Sequence, residues 1–258
     1  MSSSTGAPRR ASGSRPTSTP RSTNATESWT RSRTSSTPAP GNDTVMNSTD
    51  GNALIDISQG LSESTVVWPG DTPFTREWVM RIAEGASCNV STLRMSVHCG
   101  THSDAPYHFD EKGDPTEAFD LDAFIGPCRV VEVRSEDGVH ASDLEGIDLA
   151  RDRRLLFKTR RPCTATTWRD DFSFVGVDAA RLLAESKILL FGLDTPSIDP
   201  MESKTLEAHH ILANAGIRWI ENLELSHVTP GHYELIALPL KIAGGDAAPV
   251  RAVLRTNP

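Results

Sequence analysis

Residues His98-Cys99-Gly100-Thr101-His102-Ser103-Asp104-Ala105-Pro106-Tyr107-His108-Phe109 constrain this chain more than any other stretch. Three of its eight histidines fall there, with a carboxylate among them. The run into it, Leu93-Arg94-Met95-Ser96-Val97, alternates apolar and polar residues, the pattern of a half-buried strand. On that reading Leu93, Met95 and Val97 face the core. Side chains alternate along a strand, so His98, Gly100, His102 and Asp104 emerge together on the other face. Gly100 leaves space for a ligand or ion to approach the backbone. Pro106 ends the regular pairing and sets His108 beside the cluster, out of line with it. Two imidazoles and a carboxylate on one face make a first coordination shell for a divalent ion such as zinc or manganese. Asp104 has two oxygens and could bridge a pair of ions. The plainer reading is three unrelated histidines in ordinary hydrogen bonds.

A core to support that site has to come from residues 51–258. Residues 1–50 are rich in Ser, Thr, Pro and Arg and hold almost no core-forming side chains, the composition of a disordered extension. Three origins fit them: a transit peptide, a basic interaction arm, or an untranslated leader with Met46 as the true start, the last being favoured. They carry six arginines and three acids, a net of +3. The whole chain is at −8, which leaves −11 for the remainder and argues against nucleic-acid binding. Cys88, Cys99, Cys128 and Cys163 form no CxxC pair and read as reduced thiols of a cytoplasmic protein. No apolar run is long enough for a membrane span.

Strand-like segments dominate from Leu54 onward. They are expected at 54–58, 66–71, 78–82, 129–133, 155–159, 187–193, 217–220, 233–238 and 250–254. Short helices are expected at 121–125, ended by Gly126-Pro127, and from an Asp178 cap to about Ser186. A third begins at Ser203 or Thr205, stops at Gly216 and presents both His209 and His210. Residues 134–153 read as a charged surface excursion. Trp68, just before Pro69-Gly70, is equally a core residue or a pocket wall. Asp194 and Asp199, past the end of an apolar strand, read first as turn-forming residues. Runs of strands without regular helical alternation predict an α+β fold with a mixed sheet curled toward a barrel. Gly-x-Ser-x-Gly is absent, which weakens a serine-hydrolase reading.

His98-x-Gly100-Thr101-His102-x-Asp104-x-Pro106-x-His108 resembles the signature of the cyclase-like metal-dependent hydrolases, and within them the bacterial kynurenine formamidases (arylformamidases). Trp68-Pro69-Gly70-Asp71, the run Gly192 to Pro200, Glu202-Ser203-Lys204-Thr205 through His209, and Glu234 to Lys241 carry the same resemblance. It spans about residues 53–256 and is weakest over 134–172. It implies a swivelling β/β/α fold, a homodimer, and two zinc or manganese ions per subunit. His98, His102 and Asp104 would hold one ion and His209 the second, with Asp104 and Glu221 bridging. His108 would be the acid/base, and Trp68 would contact the aromatic ring of N-formyl-L-kynurenine. Two alternatives are a related hydrolase of another amide or cyclic amide, as in isatin hydrolases, and a metal-binding protein without catalysis.

Overall fold

The runs Leu155-Leu156-Phe157 and Leu190-Phe191 are fully buried, as apolar strands become when both faces of a sheet are covered. They lie in a computed structural model that describes residues 52–256. The extension and the start at Met46 lie outside the described residues. The strands are β1 (Leu54–Asp56), β2 (Thr75–Met80), β3 (Val90–Arg94), β4 (His102–Asp104), β5 (Ile125–Glu132), β6 (Gly138–Val139) and β7 (Arg154–Lys158). They continue with β8 (Phe174–Val175), β9 (Leu190–Leu193), β10 (Arg218–Ile220), β11 (Gly231–Ile236), β12 (Ala247–Pro249) and β13 (Val253–Arg255). Two α-helices, α1 (Val177–Glu185) and α2 (Glu207–Asn214), complete the set.

Seven strands form one mixed sheet in the order β1-β13-β11-β5-β7-β9-β10. From β1 to β5 neighbours run antiparallel, and from β5 to β10 they run parallel. The mixed α+β sheet expected from the pattern is therefore present, curling into a half-barrel. The parallel half does alternate with helices, β7-α1-β9-α2-β10, because parallel neighbours need a crossover. Period-two alternation feeds two cores. Val130 and Leu156 face one, with Phe124, Leu235 and Leu254. Val131 and Phe157 face the other, which α1 and α2 cover through Leu183 and Leu212. No helix among the described residues is long and apolar enough to cross a membrane.

Several local expectations are corrected. Val66 to Asp71 forms turns and no strand. The helix expected at 121–125 is a 3-10 turn, Leu121–Phe124, and Gly126-Pro127 lies inside β5 because β11 pairs with Ile125 and Gly126 too. The stretch 134–153 contributes buried Val139 and Leu144 and is more than a surface excursion. Gly176 occupies the cap of α1, while Asp178 accepts from the Ala141 amide. The largest change is upstream of the histidines. β3 ends at Arg94 and pairs only with β2, so Leu93 is exposed and the alternating run has no core to face.

Candidate metal centre

β4 supplies His102 and Asp104, two residues apart and therefore on one face. On one side β12 pairs with it, placing Ala247 opposite Asp104. On the other, the backbones of His102 and Glu221 exchange hydrogen bonds of 3.3 and 3.0 Å, so the residue following β10 sits against β4. His102 Nε2 then lies 3.3 Å from both Asp104 Oδ1 and Glu221 Oε2. His98 Nδ1 is 3.0 Å from Asp104 Oδ1, and His209 Nε2, from α2, is 3.6 Å from Asp104 Oδ2. One carboxylate thus faces two imidazoles through one oxygen and a third through the other.

Each of these histidines has its second ring nitrogen anchored. His102 Nδ1 is 2.9 Å from Gly100 O, His209 Nδ1 is 2.6 Å from Asp199 Oδ2, and His98 Nε2 is 2.9 Å from Asp246 Oδ2. With those nitrogens donating to oxygen, each ring in its neutral form would present a lone pair inward. Glu221 Oε1 accepts from the Ile198 amide at 3.1 Å, leaving Oε2 turned inward. His102 Nε2 and Asp104 Oδ1 are buried and make no hydrogen bond, although both sit within 3.3 Å of other polar atoms. Buried polar atoms rarely go unpaired. Atoms that converge without hydrogen-bond geometry fit a cation held between them, and neutral imidazole with carboxylate is the donor set of zinc or manganese. The anchoring carboxylates and carbonyl supply the outer support that metal-ligating histidines require.

The electrostatics agree. Burial opposes charge on His102, yet Asp104 and Glu221 raise it to about 10. Burial likewise opposes His209, and Asp104 and Asp199 raise it to about 9. His98 is raised against burial by Asp104. Burial would lift Asp104, but His102, His209 and His98 hold it well below the usual carboxylate range. Glu221 is raised by burial and by the charge of Asp104. The site attracts positive charge. A cavity of about 320 Å³ opens over it, walled by Trp68, Trp168, Pro196 and Leu206, and no lysine or arginine lines it.

The family model of the cyclases, described as a putative cyclase, matches residues 55–200. The chain belongs to the cyclase family. Among its relatives is the kynurenine formamidase of Salinibacter ruber, 46% identical over 209 residues, covering 80% of this chain and 99% of that one. The kynurenine formamidase of Geobacillus thermodenitrificans is 44% identical over 204 residues, covering 79% and 98%. A solved structure of a potential metal-dependent hydrolase with cyclase activity superimposes with a TM-score of 0.70 at 32% identity, covering 80% of this chain and 99% of that one. Isatin hydrolase A of Labrenzia aggregata, at 22% identity and a TM-score of 0.66, shares the fold.

In this cyclase-family chain the structure brings His98, His102, Asp104, His209 and Glu221 together, with His108 at the rim and Trp68 in the cavity wall. His108 follows Pro106 in a 3-10 turn and is half-exposed, its ring 4.3 Å from that of His98. Burial lowers its pKa. One of its ring nitrogens also clusters with donor atoms of His98 and Asp104. His209 is buried while His210 is exposed, a choice that helical spacing leaves open. Trp68 is half-buried and meets Trp168 edge-on at 5.5 Å.

Three readings of residues near the site are corrected. His98 is on a turn outside β4, and it reaches Asp104 because Gly100, at φ +68°, bends the chain. Gly100 gives no open approach, since a Cβ there would lie 2.6 Å from Leu61 Cδ2. Asp199 does more than shape a turn, because it anchors His209. Asp194 accepts from the amide and hydroxyl of Thr159, a partner 35 residues away on a neighbouring strand end and not within its own turn. Asp246 and Trp168 carry no local signal. Asp246 meets a histidine 148 positions away.

Proposed function

We propose that this protein hydrolyses N-formyl-L-kynurenine to L-kynurenine and formate, a step of tryptophan degradation through the kynurenine pathway. The observation that carries the reading is Asp104, whose two oxygens face histidines on opposite sides beneath a cavity walled by tryptophan. The relatives named kynurenine formamidase, 43–46% identical over nearly their whole length, support the substrate.

His98, His102 and Asp104 would hold one divalent ion and His209 a second, with Asp104 and Glu221 able to serve both. When bound, zinc or manganese acidifies water from a pKa of about 15.7 toward about 7 and polarises the formyl oxygen. Asp199, Asp246 and Gly100 keep the three ligand rings in the tautomer that presents a lone pair inward. Trp68 stacks on the aryl ring and sets the formamide over the ligands. His108, neutral at physiological pH because burial lowers its pKa, takes a proton from the attacking water and passes it to the departing aryl nitrogen. The proton is needed there because an unprotonated anilide nitrogen is a poor leaving group.

The enzyme acts in the cytoplasm as a homodimer. Its four unpaired cysteines suit a reducing compartment. Exposed Trp78, Val79, Met80 and Leu93 on the β2–β3 hairpin support a partner surface. The test is to mix purified protein with N-formyl-L-kynurenine or with isatin and to follow product absorbance before and after a chelator. Chelator-sensitive release of kynurenine is expected. Turnover of isatin with none of the formyl anilide would replace this reading by the cyclic-amide one.

A further inference from the structure

N-formylkynurenine is an amino acid as well as an anilide, and its ammonium stands three carbons from the ring. The cavity must therefore do something with a positive charge and a negative one. No lysine or arginine among the described residues lines it, so no guanidinium or ammonium of the wall receives the substrate carboxylate. Two carboxylates beyond the five ligand side chains do line it, Asp71 and Asp246. Asp246 is committed, with Oδ2 on His98 Nε2 at 2.9 Å.

Asp71 is differently placed. It ends the Trp68-Pro69-Gly70-Asp71 turn, closed by a 2.9 Å bond from its amide to Trp68 O, so it is held next to the tryptophan that walls the aryl slot. Its Oδ2 accepts from Ser96 Oγ at 3.0 Å, and that hydroxyl accepts from the His98 amide at 3.2 Å. This chain fixes the carboxylate relative to the metal-facing turn. Oδ1 has no hydrogen-bond partner among the described residues, and no cation of the protein pairs with the group. A half-buried, oriented carboxylate with a free oxygen, in a cavity that no lysine or arginine among the described residues lines, is a receptor for an ammonium.

Building on the formamidase reading, we infer that Asp71 determines specificity by binding the α-ammonium of the substrate, while the α-carboxylate points to solvent. Trp68 and Asp71 then read the ring and the amino-acid arm from one turn. The same turn disfavours formyl anilides that bear an acid and no amine, because they would bring a carboxylate toward Asp71.

The experiment compares kcat/KM on three formyl anilides in the metal-loaded enzyme: N-formylkynurenine, its decarboxylated analogue N-formylkynuramine, and its des-amino analogue 4-(2-formamidophenyl)-4-oxobutanoate. The first two should be used with similar efficiency and the third roughly tenfold to a hundredfold less well, the range for one hydrogen bond to a charged group. In Asp71→Asn that preference for the amine should collapse, chiefly through KM, while Asp71→Glu should retain part of it. Metal content of both variants reports whether the neighbouring turn survives. Equal use of all three substrates by the wild type would leave the formamidase reading standing and overturn the role of Asp71. A preference that persists in Asp71→Asn would overturn it as well. If the wild type cleaves none of the three, the formamidase reading fails and the ammonium site fails with it.

Discussion

The β2–β3 hairpin and strand β4 are neighbours in the chain and opposites in the fold. The hairpin exposes Trp78, Val79, Met80, Val90 and Leu93. Within ten residues of its end, His102, Ser103 and Asp104 are at most 2% exposed. Apolar side chains face out and ionisable ones face in, the reverse of the ordinary partition. Burying Asp104 and His102 without partners would cost several kcal/mol. The contacts of Asp104 with three histidines and of His102 with Glu221 offset part of that cost, and a cation held among them would offset more. Among the described residues the hairpin has no comparable neighbour: its strands pair only with each other there, and a lone two-stranded sheet is marginal in water. Each inversion is what the proposed function would use, the buried carboxylates to hold a cation and the exposed hairpin to meet a partner surface.

The buried side of this contrast breaks most sharply at Glu221. Glu221→Ala removes the carboxylate proposed to serve both ions and leaves His102 Nε2 facing Asp104 without it. Metal content and turnover should fall together, turnover by roughly 10³-fold or more, since metal catalysis supplies several kcal/mol. Elemental analysis alongside rates measures both, and full activity in a metal-depleted variant would refute the ligand assignment.

His108 tests where the site ends. It is half-exposed and lies beyond Pro106, so His108→Ala should keep its metal and its melting temperature while turnover drops about 10²- to 10⁴-fold. The loss should shrink for formyl anilides with electron-withdrawing ring substituents, whose nitrogen needs less protonation to leave. Because a ring nitrogen of His108 also clusters with His98 and Asp104, loss of metal in this variant would make it a ligand.

Asp199→Asn probes the layer beneath. It disturbs the 2.6 Å bond that fixes the His209 ring, so metal affinity or rate should fall about 10- to 100-fold with the fold retained. Chelator competition reads the affinity, and an unchanged value would show that packing alone holds His209. At the other end of the scale, Leu93→Ser on the hairpin should change the unfolding free energy by no more than about 0.5 kcal/mol in dilute denaturation experiments. A larger loss would mean that the hairpin is packed in solution, and the contrast with β4 would dissolve.

Much of the centre is legible along the chain because it rests on short spacings. His102 and Asp104 share a face by period two, Pro106 sets His108 aside, and Gly216 closes α2 at φ +74°. The buried runs at 155–157 and 190–193 announce interior strands by their unbroken apolar character. The same alternation misleads at 93–97, where the residues follow the strand pattern but no layer covers them.

Local sequence therefore determined which residues share a face and where the chain must turn, since steric and hydrogen-bonding preferences act over a few residues. It could not determine which faces are covered, because covering depends on elements far away in the chain. Glu221 reaches His102 only through the register of β4 against the end of β10, and Asp246 reaches His98 only because β12 pairs with β4. His209 is separated from His210 by which side of α2 meets the sheet. The three-dimensional packing alone decided that Asp199 anchors the His209 ring while Asp194 ties the end of β9 to Thr159. A carboxylate's role follows from the group at its other end, and here that group lies ten residues away on α2 for Asp199 and thirty-five away on β7's edge for Asp194.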